Sequence, residues 1–240
     1  YSAVIKKIDS SGNLTWSKDP TIYEALDSFE IEAPPIDKPL RLPLQDVYSI
    51  TGVGTVPVGR VETGMFKVGD TISINPGNHS AEVKSIETHH TPIQEAKAGD
   101  NIGFNLRGID KGTIRRGDVI GSKDNPPTVV KEITAQIIVV HHPTAIAPGY
   151  TPVIHAHTAQ AAATITELIS KLDPRSGGVL EEKPKSLKTG DAAIVKIQPL
   201  RPLCLETFKE FPELGRFALR DMGTTIAAGV VKEINAEWTD

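Results

Sequence analysis

After residue 38 the chain alternates apolar and polar positions in short runs, which is the period-2 pattern of β-strands. Such runs occupy residues 55–61, 71–74, 101–106 and 134–140, and clusters of Gly, Pro, Asn and Asp separate them. These residue types favour turns. Many short strands with turn signals between them are typical of a barrel or a sandwich. The pattern therefore predicts an all-β fold over most of the chain.

A short turn signal recurs within this region. A basic residue, one spacer and then Gly-Asp occur at residues 67–70, 97–100, 115–118 and 188–191. Glycine at the third position supplies the positive φ that a tight turn needs. We therefore expect four similar turns, each of which opens a strand.

The segment before residue 38 has a helical pattern instead. Asp19 and Pro20 suit the cap and the first position of a helix. Apolar residues follow at helical spacing, at Ile22, Ala25, Leu26 and Phe29. The apolar stripe of this predicted helix, residues 20–29, needs a partner surface, yet the proline-rich residues 30–39 are typical of a linker. We therefore expect the helix to close a domain upstream of the chain.

One later segment is ambiguous. Ile165, Leu168, Ile169 and Leu172 have the spacing of a helical face, so periodicity alone predicts a helix here. Pro174 and the glycines at 177 and 178 then predict a turn.

Length and composition favour two ordinary globular domains. The chain has 240 residues, of which 39% are hydrophobic and 23% charged, and this balance excludes wholesale disorder. Two prolines at 126 and 127 mark a break between two barrel candidates. The net charge of −4 argues against a protein that coats nucleic acid indiscriminately, although local basic patches remain compatible with it.

The same sequence features predict a cytoplasmic protein that does not enter a membrane. No apolar run approaches the roughly 18 residues of a membrane span, and residues 1–7 lack the order of a signal peptide. The single cysteine, Cys204, excludes an internal disulfide and is predicted to fill a strand. The chain begins at Tyr1 without an initiator methionine, so we expect a fragment or a processed piece.

No catalytic motif is visible. The chain has no GxxxxGK[ST] phosphate loop, no GxSxG elbow and no HExxH, so we expect no nucleoside triphosphate site and no enzymatic activity of the chain alone. Its seven histidines include two adjacent pairs, but a metal site needs three or four converging ligands, and neighbours on a strand point to opposite faces. We therefore predict no metal site.

Longer stretches of sequence are more informative. They are residues 37–50 (DKPLRLPLQDVYSI), 52–64 (GVGTVPVGRVETG), 99–108 (GDNIGFNLRG), 114–119 (IRRGDV), 148–155 (PGYTPVIH) and 214–225 (LGRFALRDMGTT). Together they closely resemble domains 2 and 3 of elongation factor 1-alpha, the archaeal and eukaryotic counterpart of elongation factor Tu. The resemblance extends over nearly everything from Pro20 onward.

This resemblance implies two consecutive antiparallel β-barrels preceded by one short helix left from a missing GTPase domain. Residues 1–33 would be the C-terminal end of that domain and a linker, residues 34–126 barrel domain 2, and residues 127–240 barrel domain 3. The family also makes residues 161–172 a barrel strand with a turn at residues 175–177. That expectation contradicts the helix predicted from periodicity, and we adopt it.

The resemblance further implies a pocket for the aminoacylated 3′ end of tRNA on domain 2. Gln45, Asp46 and Tyr48 would form one side of this pocket, and Glu87, His89, His90 and Asn101 the other. An aromatic ring can stack on a base or side chain, while carboxylate and amide groups can hold an α-amino group and a ribose hydroxyl. The alternative is that Asp46 and Asn101 cap turns and that Tyr48 packs inside the barrel.

Contacts with the tRNA backbone are implied for a second set of residues, Arg60, Arg216, Arg220, Gly223, Thr224 and Thr225. Hydroxyls, guanidinium groups and backbone amides fix position on phosphates without selecting bases. Arg216 and Arg220 are four apart in a strand-like stretch and should share a face. The alternative is that they form ion pairs with Glu213 or Asp221.

The implied function is a GTP-dependent translation factor that delivers aminoacyl-tRNA to the ribosomal A site. GTP and Mg²⁺ would bind to the missing domain, with no cofactor in this chain. The implied partners are aminoacyl-tRNA, the ribosome and a nucleotide-exchange factor, with release or ribosome-rescue factors as further candidates. The competing hypothesis is that the barrels serve chiefly as a docking platform for these protein factors.

Overall fold

The computed structural model describes residues 22–29 and 33–238, and its contacts divide the chain into Tyr1–Pro34 and Pro35–Asp240. In the first unit, helix α1 (Ile22–Asp27) confirms the predicted helix over part of its length. Asp19 and Pro20, the predicted cap and first position, lie outside the described residues. Leu26 and Phe29 of the predicted apolar stripe are exposed.

The second unit is built mainly of antiparallel strands. Its first half contains β1 (Leu42–Ile50), β2 (Gly54–Arg60), β3 (Met65–Lys67), β4 (Thr71–Asn75), β5 (His79–Thr88), β6 (Thr91–Ile93), β7 (Glu95–Lys97), β8 (Asn101–Arg107) and β9 (Val119–Ser122). Its second half contains β10 (Val129–Val139), β11 (Val153–Ala156), β12 (Ala159–Leu172), β13 (Val179–Glu182), β14 (Ala192–Pro199), β15 (Leu203–Cys204), helix α2 (Pro212–Gly215), β16 (Arg216–Asp221) and β17 (Thr224–Glu237).

Each half closes into a barrel. The order β4-β9-β1-β2-β8-β5 returns on itself because β4 also pairs with β5. The order β11-β16-β17-β10-β14-β12 closes in the same way through the pairing of β11 with β12. Closure removes the free strand edges that would otherwise invite pairing with other chains. The predicted fold of two consecutive antiparallel barrels is confirmed.

The strand pattern of the sequence determines the two barrel interiors. Along β2 and β10 buried and more exposed residues alternate, so one face of each strand lines a core. The first core is packed around Phe104, whose ring meets Phe66 edge-on at 5.6 Å between centroids. The second core is aliphatic and includes Ile133, Ile137 and Ile165.

Residues 161–172 lie within β12, so the helix predicted from periodicity is wrong and the family-based strand is confirmed. The register with β14 shifts at two places, which leaves Thr166 and Ile169 as extra residues of two β-bulges. The first bulge lengthens the interval between the buried residues Ile165 and Leu168 from two positions to three. A strand with such a bulge imitates the i, i+3 spacing of a helix.

The four recurrent turns share one geometry. In each, the aspartate carboxylate accepts a hydrogen bond from the backbone N–H of the basic residue three positions earlier, at 2.8–2.9 Å. The glycine between them has φ of 91–100°, as predicted. The basic residue at the first position therefore acts in the turn through its backbone, which leaves its side chain available for other contacts.

One of these turns gives a test of the backbone cost alone. A methyl group on Gly190, at φ +91°, would meet no atom within 4 Å, so Gly190→Ala should destabilise the chain only through its left-handed backbone. We expect a loss of about 1 kcal/mol in the free energy of unfolding, measured by urea denaturation. Gly112→Ala is the matched control, because Gly112 is equally uncrowded and has no left-handed φ. Equal midpoints for the two variants would contradict this account.

A buried ion pair joins the two barrels. Arg41, 2% exposed, donates through Nε to Oε1 of Glu206, 4% exposed, at 2.7 Å. Its other nitrogens donate to Asn125 and to nearby backbone carbonyls, and its guanidinium lies 4.7 Å from the centre of the Phe211 ring. Glu206 also accepts hydrogen bonds from the N–H and hydroxyl of Thr128. Such a fully bonded pair fixes one barrel against the other.

A small apolar cluster adjoins this pair. It consists of Val119, Cys204, Phe211 and Leu214. Cys204 lies in β15 and is buried, as predicted, and burial raises the pKa of its thiol far above the usual range. The thiol therefore acts as a packing group. None of the helices among residues 22–29 and 33–238 is long and apolar enough to span a membrane.

Candidate functional site

The first predicted side of the aminoacyl pocket lies on β1. The register between β1 and β2 shifts between Leu44 and Asp46, so Gln45 is the extra residue of a β-bulge. Because of this bulge Gln45 and Asp46 are both exposed, although they are adjacent in the strand. Tyr48 is exposed two residues further on, and a hydrogen bond to Asp46 raises the pKa of its hydroxyl.

The second predicted side of the pocket lies on the same outer face of the first barrel. Asp46 pairs with Val58, Val58 with Gly103, and Gly103 with Glu87. These residues form a row across β1, β2, β8 and β5, in which Gly103 has no side chain to fill the space between its neighbours. A methyl group there would lie 3.5 Å from Val58 Cγ1 and 3.7 Å from Val56 Cγ1. This row, which we call the depression, has carboxylates at both ends and only valine and glycine between them.

The other three predicted pocket residues lie next to this row. His89 and His90 form the two-residue turn between β5 and β6, both with left-handed φ, of 48° and 62°. They are thus turn residues, and the expectation that adjacent histidines alternate along a strand does not apply to them. Asn101 pairs with Arg60, and its carbonyl accepts a hydrogen bond from the Thr88 hydroxyl at the base of the histidine turn. All seven predicted residues therefore lie on one side of the first barrel.

The structure tests the alternative that Tyr48 packs inside the barrel and that Asp46 serves a turn. Tyr48 is 49% exposed and does not pack inside the barrel. Asp46 does make a local contact, since its Oδ1 accepts a hydrogen bond from the N–H of Val47. Among the described residues, no group of three or more His, Cys, Asp or Glu side chains is arranged to hold a metal ion.

The six residues predicted to contact the tRNA backbone fall into two groups. Arg60 and Arg216 belong to a charged cluster at the barrel junction. Arg60 lies 3.7 Å from Glu62, and Arg216 forms an ion pair with Glu213, as the alternative interpretation predicted. Burial raises the pKa of Glu62, and this carboxyl also senses Glu213 and Arg216. Both guanidinium groups thus already have carboxylate partners.

The second group lies on the hairpin of β16 and β17. Asp221 pairs with Thr224 around the turn Met222–Gly223, and Met222 is 99% exposed. Arg220 Nη2 donates to the carbonyl of Gly223 at 2.7 Å. Asp221 instead accepts a hydrogen bond from the Tyr150 hydroxyl at 2.9 Å, so the predicted alternative of an Arg220–Asp221 pair is not what the structure shows.

The sequence prediction missed a basic cleft between the barrels. Arg115, Arg116 and Arg201 line a cavity of about 30 Å³. Arg116 Nε donates to the carbonyl of Thr158 at 3.3 Å, and Arg201 donates to that of Gln160. In the sequence, Arg115 and Arg116 belong to a turn signal and to a family-like stretch with no assigned contact, and Arg201 belongs to no motif. The fold brings together residues that are far apart in sequence, so only the spatial arrangement reveals this cleft.

The basic cleft is connected to the hairpin through the outer face of the second barrel. A cavity of about 410 Å³, lined by Val153, Ala162, Leu200 and Arg201 among others, lies beside the cleft. Ala162 pairs with Val153, Val153 with Arg220, and Arg220 with Thr225. This row leads from the cavity, which Arg201 lines, to Arg220 and the exposed turn of the hairpin.

A larger groove lies beside this row of paired residues on the second barrel. Its volume is about 700 Å³, its floor contains Ala218, Ala228 and Gly229, and its walls include Phe208 and Ile138. His155 and His157 also line it, and burial lowers the pKa of both imidazoles. The groove thus combines small apolar residues with two imidazoles of lowered pKa and the Glu213–Arg216 pair.

Comparisons with known proteins agree with this arrangement. A family model described as Elongation factor Tu domain 2 matches residues 54–121, and one described as GTP-eEF1A C-terminal domain-like matches residues 132–232. Elongation factor 1-alpha of Cenarchaeum symbiosum is 63% identical over 96% of this chain and 53% of its own length. That of Methanocaldococcus jannaschii is 60% identical over 96% of the chain and 54% of its own length.

Solved structures give the same result. A crystal structure of sup35 complexed with GDP is 30% identical, with a TM-score of 0.80 over 92% of this chain and 53% of that chain. A structure of sup35 complexed with GMPPNP has a TM-score of 0.81. Both barrels therefore match domains of translation factors. Within that class, the chain belongs to the elongation factor 1-alpha family, and it spans about half the length of the curated relatives it matches.

Proposed function

We propose that the chain is the aminoacyl-tRNA-binding half of a GTP-dependent elongation factor that delivers aminoacyl-tRNA to the ribosomal A site. Within it, barrel domain 2 would comprise residues 34–126 and barrel domain 3 residues 127–240. The observation that supports this function most directly is the depression on the first barrel. It has an exposed aromatic ring at one side, carboxylates at both ends and a floor without bulky side chains.

The chemistry of this depression suits the aminoacylated end of a tRNA. The carboxylates of Asp46 and Glu87 attract a protonated α-amino group, and the ring of Tyr48 offers a flat face for stacking. A floor of Val58 and Gly103 selects no particular side chain. A factor that serves many amino acids needs this combination of a specific contact to the shared α-amino group and a permissive floor.

The outer face of the second barrel suits the sugar-phosphate backbone of the same tRNA. Arg220, Gly223, Thr224 and Thr225 supply a guanidinium, an exposed turn and hydroxyls, and the basic cleft adds Arg115, Arg116 and Arg201. Such groups position an RNA without selecting its sequence. Arg60, Arg115 and Arg216 have carboxylate partners, so we expect them to contribute less than Arg220.

GTP and Mg²⁺ belong, in this proposal, to the half of the protein outside the chain. The described residues offer neither a phosphate loop nor a group of metal ligands. The ribosome and a nucleotide-exchange factor are the further partners that the function requires.

The residue assignments predict the behaviour of one double variant. With the chain joined to a GTPase domain of its family and loaded with GTP, Asn101→Ala combined with Arg220→Ala should weaken aminoacyl-tRNA binding by about 10- to 100-fold in filter-binding assays. The dependence of log K on log salt should also become less steep, by about 0.9, because one phosphate contact is lost. Arg107→Ala is the control, since Arg107 is an exposed arginine of the first barrel in a surface pair with Glu82. Unchanged affinity in the double variant would contradict the assignments.

The groove of about 700 Å³ favours a second candidate function, a docking platform for exchange, release or ribosome-rescue factors. Its apolar floor and walls suit a protein surface better than a phosphate backbone. Pull-down of such factors by the chain, compared with tRNA across a salt series, separates the two functions. Binding that survives high salt indicates protein contacts, whereas binding lost with a steep salt slope indicates RNA.

A further inference from the structure

The hairpin of β16 and β17 is held at its base by a residue from outside the hairpin. The Tyr150 hydroxyl donates to Oδ2 of Asp221 at 2.9 Å, and Asp221 with Thr224 is the pair that closes the two-residue turn. The turn itself has two consecutive left-handed residues, Met222 at φ 44° and Gly223 at φ 80°. A hydrogen bond at the closing pair restricts the direction in which such a turn projects.

Tyr150 is itself fixed to the barrel. Its carbonyl accepts a hydrogen bond from the N–H of Ile165, and the N–H of the preceding Gly149 donates back to the Ile165 carbonyl at 2.8 Å. The Tyr150 ring packs against the second core and meets the His142 ring edge-on, with 5.1 Å between centroids. Desolvation and the bond to Asp221 raise the pKa of Tyr150 to about 12, so the hydroxyl stays a donor over the whole physiological range.

Asp221 is engaged by Tyr150 and forms no ion pair with Arg220 in the described chain. Asp221 is the neighbouring carboxylate in sequence, and an ion pair with it would neutralise the Arg220 guanidinium. In the structure Arg220 instead bonds the Gly223 carbonyl, and its Nε, although buried, has no hydrogen-bond partner within the described chain. The guanidinium therefore keeps its positive charge without a carboxylate partner.

We propose that Tyr150 is a positioning residue for RNA-backbone binding: by holding Asp221 it fixes the β16–β17 hairpin and leaves Arg220 free to bind a phosphate. This inference rests on the proposed function of tRNA binding. Tyr150 would not touch the RNA itself, but it would position the hairpin residues that do.

Tyr150→Phe tests the proposal because it removes only the hydroxyl and keeps the ring that packs on His142. Without RNA, we expect faster hydrogen exchange of the backbone amides of residues 222–225. In the chain joined to its GTPase domain, we expect about five- to tenfold weaker aminoacyl-tRNA binding and a salt slope that is lower by about 0.9. Thr134→Val removes a side-chain hydroxyl on the same barrel that bonds Asn235; it is the matched control and should change neither quantity.

A second variant separates positioning from general loosening. Tyr150→Phe combined with Asp221→Asn removes the carboxylate that would capture Arg220, so the salt slope should return to near the parent value and RNA affinity should recover in part, while hydrogen exchange of the hairpin stays fast. Absence of rescue, or unchanged hydrogen exchange and affinity in Tyr150→Phe, would overturn the proposal. If the parent protein bound no aminoacyl-tRNA, the proposed function would fail, while hydrogen exchange would still report whether Tyr150 holds the hairpin.

Discussion

Replacing Glu206 with alanine should lower the free energy of unfolding by about 3–5 kcal/mol, since removal of one partner leaves a buried charge uncompensated. Arg41 would keep its hydrogen bonds to Asn125 and to backbone carbonyls, but its charge would lose the only carboxylate that the structure places in contact with it in the described chain. Thr128 would lose both of its bonds to Glu206. Urea denaturation of the chain, followed by circular dichroism, measures the change.

Two further variants identify the cause of this loss. Glu82→Ala removes the carboxylate of an exposed pair with Arg107, and a change below about 1 kcal/mol is expected there. Arg41→Met with Glu206→Leu removes both charges and should recover part of the stability lost in Glu206→Ala. A Glu206→Ala effect as small as that of Glu82→Ala would mean that water reaches the pair and that it does not join the barrels.

Local sequence patterns were sufficient for several regular strands but failed in β12, which is irregular. The alternation in β2, β4 and β8 and the four Gly-Asp turns predicted these elements directly, because both signals act within a few residues. In β12 the bulges at Thr166 and Ile169 changed the interval between buried positions. A bulge depends on the partner strand, so no local pattern reveals it, and the family resemblance was needed to correct the prediction.

The candidate site was likewise predictable from local sequence only in part. Period-2 alternation suffices to put Asp46 and Tyr48 on one face of β1, but the bulge that exposes Gln45 as well depends on pairing with β2. The register that aligns Asp46 with Glu87 across two further strands is a property of the closed barrel. The basic cleft is the extreme case, because its arginines come from both barrels and meet only after the barrels join at Arg41 and Glu206.

The depression on the first barrel leads to the second large effect that we expect. Gly103→Val would place a branched side chain between Val58 and Glu87, in the space that the aminoacyl group is proposed to occupy. The first added carbon makes only ordinary contacts, the nearest at 3.5 Å, and Gly103 has no left-handed φ. Valine also suits a strand better than glycine. The free energy of unfolding should therefore change by less than about 1 kcal/mol.

Binding of aminoacyl-tRNA should nevertheless fall by about 10- to 100-fold, the range for a pocket that is altered by one small group. Filter binding of the chain joined to its GTPase domain measures this loss. Binding of deacylated tRNA should change little, because the outer face of the second barrel is untouched. Gly112→Val, at an uncrowded loop glycine, is the matched control. If Gly103→Val bound aminoacyl-tRNA as tightly as the parent, or weakened deacylated tRNA equally, the aminoacyl group would have to bind elsewhere.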